Sequence, residues 1–346
     1  MADTLFRPLF SCGKAEDPAY LNLRNIATPE ARAGKEFAER LWAQYHPFAD
    51  THFLTEIRRD FHARFWEMYL TCALLQHGQQ HSYSVCCPKP KKTGGPDILV
   101  EHGNHRIWIE AVVATDGDAT KADSVTKPEL AQGYTVPDEK MVLRYTTAIY
   151  EKHKKYLEYR SKGIVAADDS YVIAVNGSPL SYRWAQPEIP RILEAVFPIG
   201  PIEVTLDRKT AKIVEVGHQF RPIVYKNTGG EVSTEFFVNN QYCGISAILH
   251  SYANAYMTVL PFAEGLVDQQ NADQLGIDFL VVHNPTALRP VPHALIAATR
   301  EYWATPVDGG YMELSVTPSP NSNTAVRTIA DMLEEISARR RYQGFP

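Results

Sequence analysis

The chain has 346 residues, 45% hydrophobic and 22% charged, the proportions of an ordinary globular protein that buries its own core without staples. Thirty-five Lys+Arg against 40 Asp+Glu give a formal net charge of −5, which excludes a protein coated in positive charge but not a local basic groove. Five cysteines without CxxC spacing argue for a reduced, intracellular chain, and with no apolar run of about 18 residues and no signal-peptide pattern a cytoplasmic location away from membranes is expected.

Residues 1–49 read as an irregular arm followed by a helix. Thr28-Pro29-Glu30 supplies an N-cap and a proline at the first helical position, and this helix should run to about Gln44. A second helix is expected from near Asp50, with Phe61, Phe65, Met68 and Leu75 at helical spacing and Gly78 as its stop. The β-prone HSYSVCC (81–87) and a basic Gly/Pro loop, KPKKTGGP, come next. DILVEH and HRIWIEAVVA, joined at Gly103-Asn104, then form a hairpin signal. A helix over Glu139–Ser161 and a buried strand YVIAVNG (171–177) complete the order α-β-β-β-α-β across residues 50–200.

Beyond Pro187 a short helix, EIPRILEAVF, leads into β-like runs at PIEVTL, AKIVEVG, RPIVYK, STEFFVN, GISAILHS and GIDFLVVHNP, and RTIADMLEEISARRR closes the chain as a helix. Residues 201–346 therefore read as a β-rich second half, either separate or built onto the same sheet. The fold class expected is mixed α/β (α+β).

With Gly103-Asn104 as the turn, Asp97 lies opposite Glu110. Cross-strand partners point to the same face, about 5 Å apart at Cβ. One hairpin face, Ile98, Val100, Ile107, Ile109, Ala111 and Val113, is wholly apolar; the other carries Asp97, Leu99, Glu101, Arg106, Trp108 and Glu110. Two carboxylates paired this way repel unless a proton or cation intervenes, and oxygen donors suit Mg²⁺ or Mn²⁺. The alternative is a solvent-facing sheet surface on which the two acids are unremarkable neighbours.

Glu67 on the preceding helix, Pro96-Asp97, and Glu110 on the next strand, in an αβββαβ order over about 130 residues, resemble the PD-(D/E)xK, or restriction-endonuclease-like, nuclease superfamily. That resemblance implies a metal-dependent nuclease hydrolysing phosphodiester bonds, DNA more than RNA, and a possible homodimer. Asp97, Glu110 and the Ala111 carbonyl would hold one or two Mg²⁺ or Mn²⁺ ions, with Glu67 serving a second ion or the first ion's water shell. The family's lysine two residues after the second acid is absent, because Val112 stands there.

On the later helix Tyr145, Ile149, Lys152, Tyr156 and Tyr159 recur at intervals of three or four. Lys152 is the candidate replacement lysine, the alternative being that it extends its amine to water. With Tyr156 it has the spacing of the Gln-x-x-x-Tyr motif of the family's exonuclease-like branch, with lysine in place of glutamine. Lys89, Lys91, Lys92, Arg144 and Lys155 are candidate nucleic-acid contacts, with Lys154, Arg160 and Lys162 on the same basic helix face. A catalytically silent fold serving as a binding or assembly module is the rival reading, motivated by Val112 and the acidic net charge. No GxSxG, P-loop or GxGxxG signature is present, and His283-Asn284 reads as a strand-ending turn.

Overall fold

The computed structural model describes residues 7–88, 94–129, 133–185, 187, 189–256, 274–296, 298, 300–307 and 311–318. Its elements in chain order are α1 (Pro18–Asn25), α2 (Pro29–Tyr45), α3 (Phe53–Glu56), α4 (Phe61–His81), β1 (Ser84–Cys86), β2 (Ile98–His102), β3 (His105–Val113), α5 (Asp138–Ser161), β4 (Ser170–Asn176) and α6 (Arg191–Val196). There follow β5 (Ile199–Leu206), β6 (Ile213–Phe220), β7 (Ile223–Tyr225), β8 (Glu231–Ser233), β9 (Ala247–Ser251), β10 (Leu280–His283), β11 (Arg300–Val307) and β12 (Tyr311–Pro318).

Eight strands form one mixed sheet in the order β1-β2-β3-β4-β9-β10-β11-β12, while β5-β6 and β7-β8 form two separate ribbons. The pair β2–β3 is antiparallel, as its two-residue turn requires, and β3–β4 is parallel, so the chain crosses over through α5. β4 pairs directly with β9. The sheet thus runs continuously from strands before residue 200 to strands after it.

Both sheet faces are covered. Ile98, Val100, Ile107, Ile109, Val172, Ala174 and Leu249 pack under α1, α2 and α4. Leu99, Trp108, Tyr171, Ile173, Val175 and Ile248 pack under α5 and α6. The second hairpin face is interior along Leu99, Trp108 and Glu110, where helix α5 lies over it and Glu110 retains only 1% exposure, whereas Glu101 and Arg106 near the turn face solvent.

The helix expected from near Asp50 to Gly78 is divided. Helix α3 ends at Glu56, and α4 begins afresh at Phe61, where the Asp60 carboxylate accepts from Ala63 N at 3.2 Å. It continues past Gly78 to His81 and stops at Ser82, whose φ is 58°. Gly78 serves a close approach instead, since a Cβ there would lie 2.8 Å from the Tyr83 carbonyl oxygen. Helix α1 occupies part of the arm read as irregular, capped by Asp17 with a proline in its first turn. In STEFFVN only Ser233 belongs to a strand. Phe236 and Phe237 lie beyond it, buried against Tyr242 and Phe197 respectively, so their hydrophobicity reflects packing rather than β structure. The expected C-terminal helix lies outside the described residues.

Among the described residues no helix is long and apolar enough to cross a membrane. All five cysteines are free thiols.

A buried histidine gives the core a pH dependence. His250 Nδ1 donates to the Val175 carbonyl at 2.9 Å, its Nε2 is buried without a partner among the described residues, and burial lowers its pKa to about 4. Folding keeps the neutral ring, whereas the unfolded chain takes up a proton below about pH 6.5. This contribution is therefore complete above pH 6.5 and lost as the pH falls towards 4, by about 3 kcal/mol. In urea titrations His250→Gln should show a flatter loss of stability than the parent between pH 6.5 and 4.

Candidate active site

Strand β3 is longer than the partner that covers it. The register pairs Ile98 with Ile109, Val100 with Ile107 and His102 with His105, so β2 ends where Glu110 begins and Asp97 stands at the next position. On its other side β3 remains paired to β4, from Ile107 through Val113. The residues from Glu110 onwards therefore have one edge free of β2. Asp97 fills the start of that edge: its Oδ2 accepts from Ala111 N at 2.7 Å. Within a strand a residue's N–H and C=O point to the same side, so the Ala111 carbonyl also faces the Asp97 edge.

The sequence pairing of Asp97 with Glu110 is thus present, and helices on both sides of the sheet complete the cluster. From α5, Lys152 Nζ lies 2.6 Å from Glu110 Oε1 and Lys155 Nζ lies 3.2 Å from the same oxygen. Lys152 points inward instead of extending to water; its side chain is only 13% exposed. Val112 shares the Glu110 face and packs against the apolar cluster beneath α5. The cation absent from β3 is delivered by the helix above it. Glu110 Oε2 is buried and has no hydrogen-bond partner among the described residues.

Glu67 approaches from α4 and is fixed at both oxygens. Tyr45 of α2 donates its hydroxyl to Oε1 at 2.7 Å, and Arg64, one turn earlier on α4, pairs with Oε2 at 2.7 Å. Arg64 also pairs with Glu56, and the neighbouring carboxylates hold its pKa up against burial. Burial together with Glu67 raises the Tyr45 phenol well above its usual range, so it remains a donor. Tyr45→Phe would leave Glu67 Oε1 short of its donor in a mostly buried position. We expect a loss of about 1–2 kcal/mol in chemical denaturation.

The half-buried Asp97 carboxyl has a pKa pushed up to about 8, first by burial, then by Glu110 and Glu67; Lys152 and the Ala111 N–H pull the other way. Tyr159 on α5 is raised by burial and by the same two acids, Glu110 and Asp97. Three acids from α4, β2's leading edge and β3 thus act on one another in a region with little solvent. Among the described residues no three His, Cys, Asp or Glu side chains gather closely enough to form a ligand set by themselves. The donors that fit a hard cation are the Asp97 carboxylate, the unpartnered Glu110 Oε2 and the Ala111 carbonyl, all oxygen.

No family model, no curated protein and no solved structure matches this chain. The site therefore rests on its own chemistry.

The other basic candidates separate. Arg144 lies away from this cluster: its Nε donates to the Thr115 carbonyl at 2.7 Å and its guanidinium packs on Gly117. Lys154 pairs with Glu151, Arg160 donates to the Val165 carbonyl, and Lys162 pairs with Glu158. Of the basic face read on this helix, Lys155 alone of these five turns to Glu110. Lys89, Lys91 and Lys92 lie outside the described residues. Tyr45 and Arg64 were not legible as site residues. Arg64 has a weak signal in its i,i+3 spacing to Glu67, whereas Tyr45 is brought in only by the packing of α2 on α4.

Proposed function

We propose that the protein is a metal-dependent nuclease of the PD-(D/E)xK type, hydrolysing phosphodiester bonds with Mg²⁺ or Mn²⁺, with DNA rather than RNA as the favoured substrate. The observation that carries this reading is the approach of Lys152 to Glu110, within 2.6 Å, beside the Asp97–Ala111 edge. A lysine, two acids and a strand carbonyl converge although the usual lysine position holds Val112.

Asp97, Glu110 and the Ala111 carbonyl would hold the cation, which supplies Lewis-acid stabilisation of phosphoryl charge and activation of water. The chain's own groups do the rest. Lys152 neutralises Glu110 and presents positive charge where a phosphate oxygen would gain it. Lys155, half exposed, can exchange Glu110 for a backbone phosphate. Tyr45 and Arg64 hold Glu67 in one orientation, so that its carboxylate does not have to be ordered when substrate arrives.

A second reading has its own support. Glu110 already has two lysines and Glu67 has an arginine and a tyrosine, an arrangement that is also self-sufficient in a silent fold used for binding or assembly. Single- and double-stranded DNA and RNA incubated with Mg²⁺ or Mn²⁺, with Asp97→Ala as control, separate the two. Cleavage that vanishes in the variant supports the nuclease. The absence of both cleavage of every substrate and calorimetric Mn²⁺ binding supports the silent fold.

A further inference from the structure

Helix α4 ends on a pair of imidazoles that the candidate active site does not use. His77 and His81 stand four residues apart, so they share one face of the helix. Their rings stack, with centroids 3.9 Å apart and planes inclined by 18°. His77 is buried, whereas His81, the last residue of α4, is partly exposed.

His77 is held from behind. Its Nδ1 lies 3.0 Å from the Tyr83 hydroxyl, a buried contact across the bend from α4 to β1. A hydroxyl serves either imidazole tautomer, since it both donates and accepts. With Nδ1–H donating to the Tyr83 oxygen, the lone pair sits on Nε2, across the ring from Tyr83. Histidines that bind metals are commonly fixed in this way through their other nitrogen. Tyr83 itself has little room to move: a Cβ on Gly78 would lie 2.9 Å from its ring.

His77 is also kept neutral. Burial, and then His81, lower its pKa to about 4. At neutral pH it therefore offers the uncharged ring that a metal requires.

We infer that His77 and His81 form a two-histidine site for a late first-row divalent cation, Zn²⁺ or Cu²⁺, at the end of α4. Donor type selects the ion. Imidazole nitrogen suits zinc and copper, whereas the oxygen donors around Asp97 suit magnesium and manganese. Two histidines at i and i+4 on one helix face are a recurrent zinc-binding pair. Metal–nitrogen bonds of about 2.0–2.1 Å place two ligand nitrogens roughly 3.3 Å apart on a tetrahedral ion, close to the separation of these rings. A face-to-face stack does not aim both lone pairs at one point. His81 must therefore turn about its terminal torsion, which is broad for an imidazole, while Tyr83 keeps His77 still. Among the described residues no third His, Cys, Asp or Glu completes the set, so water fills the remaining positions.

Half the ligands of a structural zinc site give a weaker one, with a dissociation constant of roughly 1 to 200 µM. Rivals for the ion are His102 and His105, which oppose each other at the hairpin turn. Strand β1 leads towards that turn, since Ser84, three residues beyond His81, pairs with Glu101. The inference does not rest on the nuclease reading, because it uses none of the residues around Asp97.

Calorimetric titration of Zn²⁺ into the full chain tests it, with about 10 mM Mg²⁺ present to occupy oxygen donors. His81→Ala changes a partly exposed residue at a helix end and should weaken binding at least tenfold with an unchanged melting curve. Tyr83→Phe leaves both ligands in place and should weaken it by about 10- to 100-fold. Electron paramagnetic resonance of the Cu²⁺-loaded parent provides a check that needs no variant: two equatorial imidazole nitrogens should split its spectrum. Binding should survive in Asp97→Ala whether or not the chain cleaves nucleic acid. A parent that takes up no Zn²⁺ below about 1 mM overturns the inference, as does a Cu²⁺ spectrum without imidazole nitrogen. Binding that His81→Ala leaves unchanged overturns it too. Loss in Asp97→Ala instead would assign the ion to the candidate active site, and loss in His102→Ala/His105→Ala alone would assign it to the hairpin turn.

Discussion

Replacing Asp97 with alanine should lower metal-dependent cleavage by about 10²- to 10⁴-fold, the several kcal/mol at stake when a cation loses its fixed position. The same change should abolish calorimetric Mn²⁺ binding. Thermal stability without metal should not fall in parallel, because Asp97 is held at an energetic disadvantage: burial, Glu110 and Glu67 all oppose its ionisation. The loss on the other side is one acceptor for Ala111 N–H, and Asp97→Asn retains an acceptor there. The asparagine variant should therefore be at least as stable as the parent in metal-free denaturant titrations while remaining as inactive as Asp97→Ala. An asparagine variant that cleaved at the parental rate would remove Asp97 from the site. An inactive variant that was also strongly destabilised would show that Asp97 is a structural residue and that lost cleavage was a folding effect.

The parts of this site legible in the sequence are those specified by local rules. A Gly-Asn turn leaves little freedom in a hairpin's register, so the opposition of Asp97 and Glu110 follows from the positions of Gly103 and Asn104, and Gly103 adopts the positive φ of 58° that such a turn needs. Lys152 stands out because a charged residue interrupts an apolar-aromatic helical stripe.

What the sequence conceals depends on tertiary packing. Glu67 gains Tyr45 only because α2 lies along α4, and no spacing in the chain announces a contact across 22 positions. Coverage of the second hairpin face is hidden for the same reason: Trp108 and Leu99 serve a solvent-shielded face as well as a half-exposed one, and the position of α5 decides between them. Near the sheet's far edge, Pro306 and Pro318 interrupt runs that otherwise alternate, a pattern that argues against strands, yet β11 and β12 pair there. Edge position resolves the conflict for β12, which among the described residues has a neighbour on one side only.

Lys152 is the other residue whose loss should be large, and here stability and chemistry must be separated. Glu110 is 2% exposed at its side chain and Lys152 13%, so removing the lysine leaves a carboxylate buried with less compensation. Breaking such a pair from one side costs about 3–5 kcal/mol; Lys155, 3.2 Å from the same oxygen, should keep Lys152→Ala near the lower end. Removing both charges relieves the penalty, so Lys152→Met/Glu110→Gln should be more stable than Lys152→Met alone, with a coupling well above 1 kcal/mol in a double-mutant cycle.

Catalysis responds differently. Lys152→Arg retains a cation on Glu110 and should recover most of the stability, but a planar guanidinium does not reproduce a compact ammonium beside a phosphate. Cleavage by Lys152→Arg should stay at least tenfold below the parent while Mn²⁺ still binds. A change of less than 0.5 kcal/mol in Lys152→Ala would mean that the ion pair carries little stability. Full activity in Lys152→Arg would mean that the cation matters and its shape does not. The combination of restored stability and depressed cleavage is the one that places Lys152 in the chemistry rather than in the packing alone.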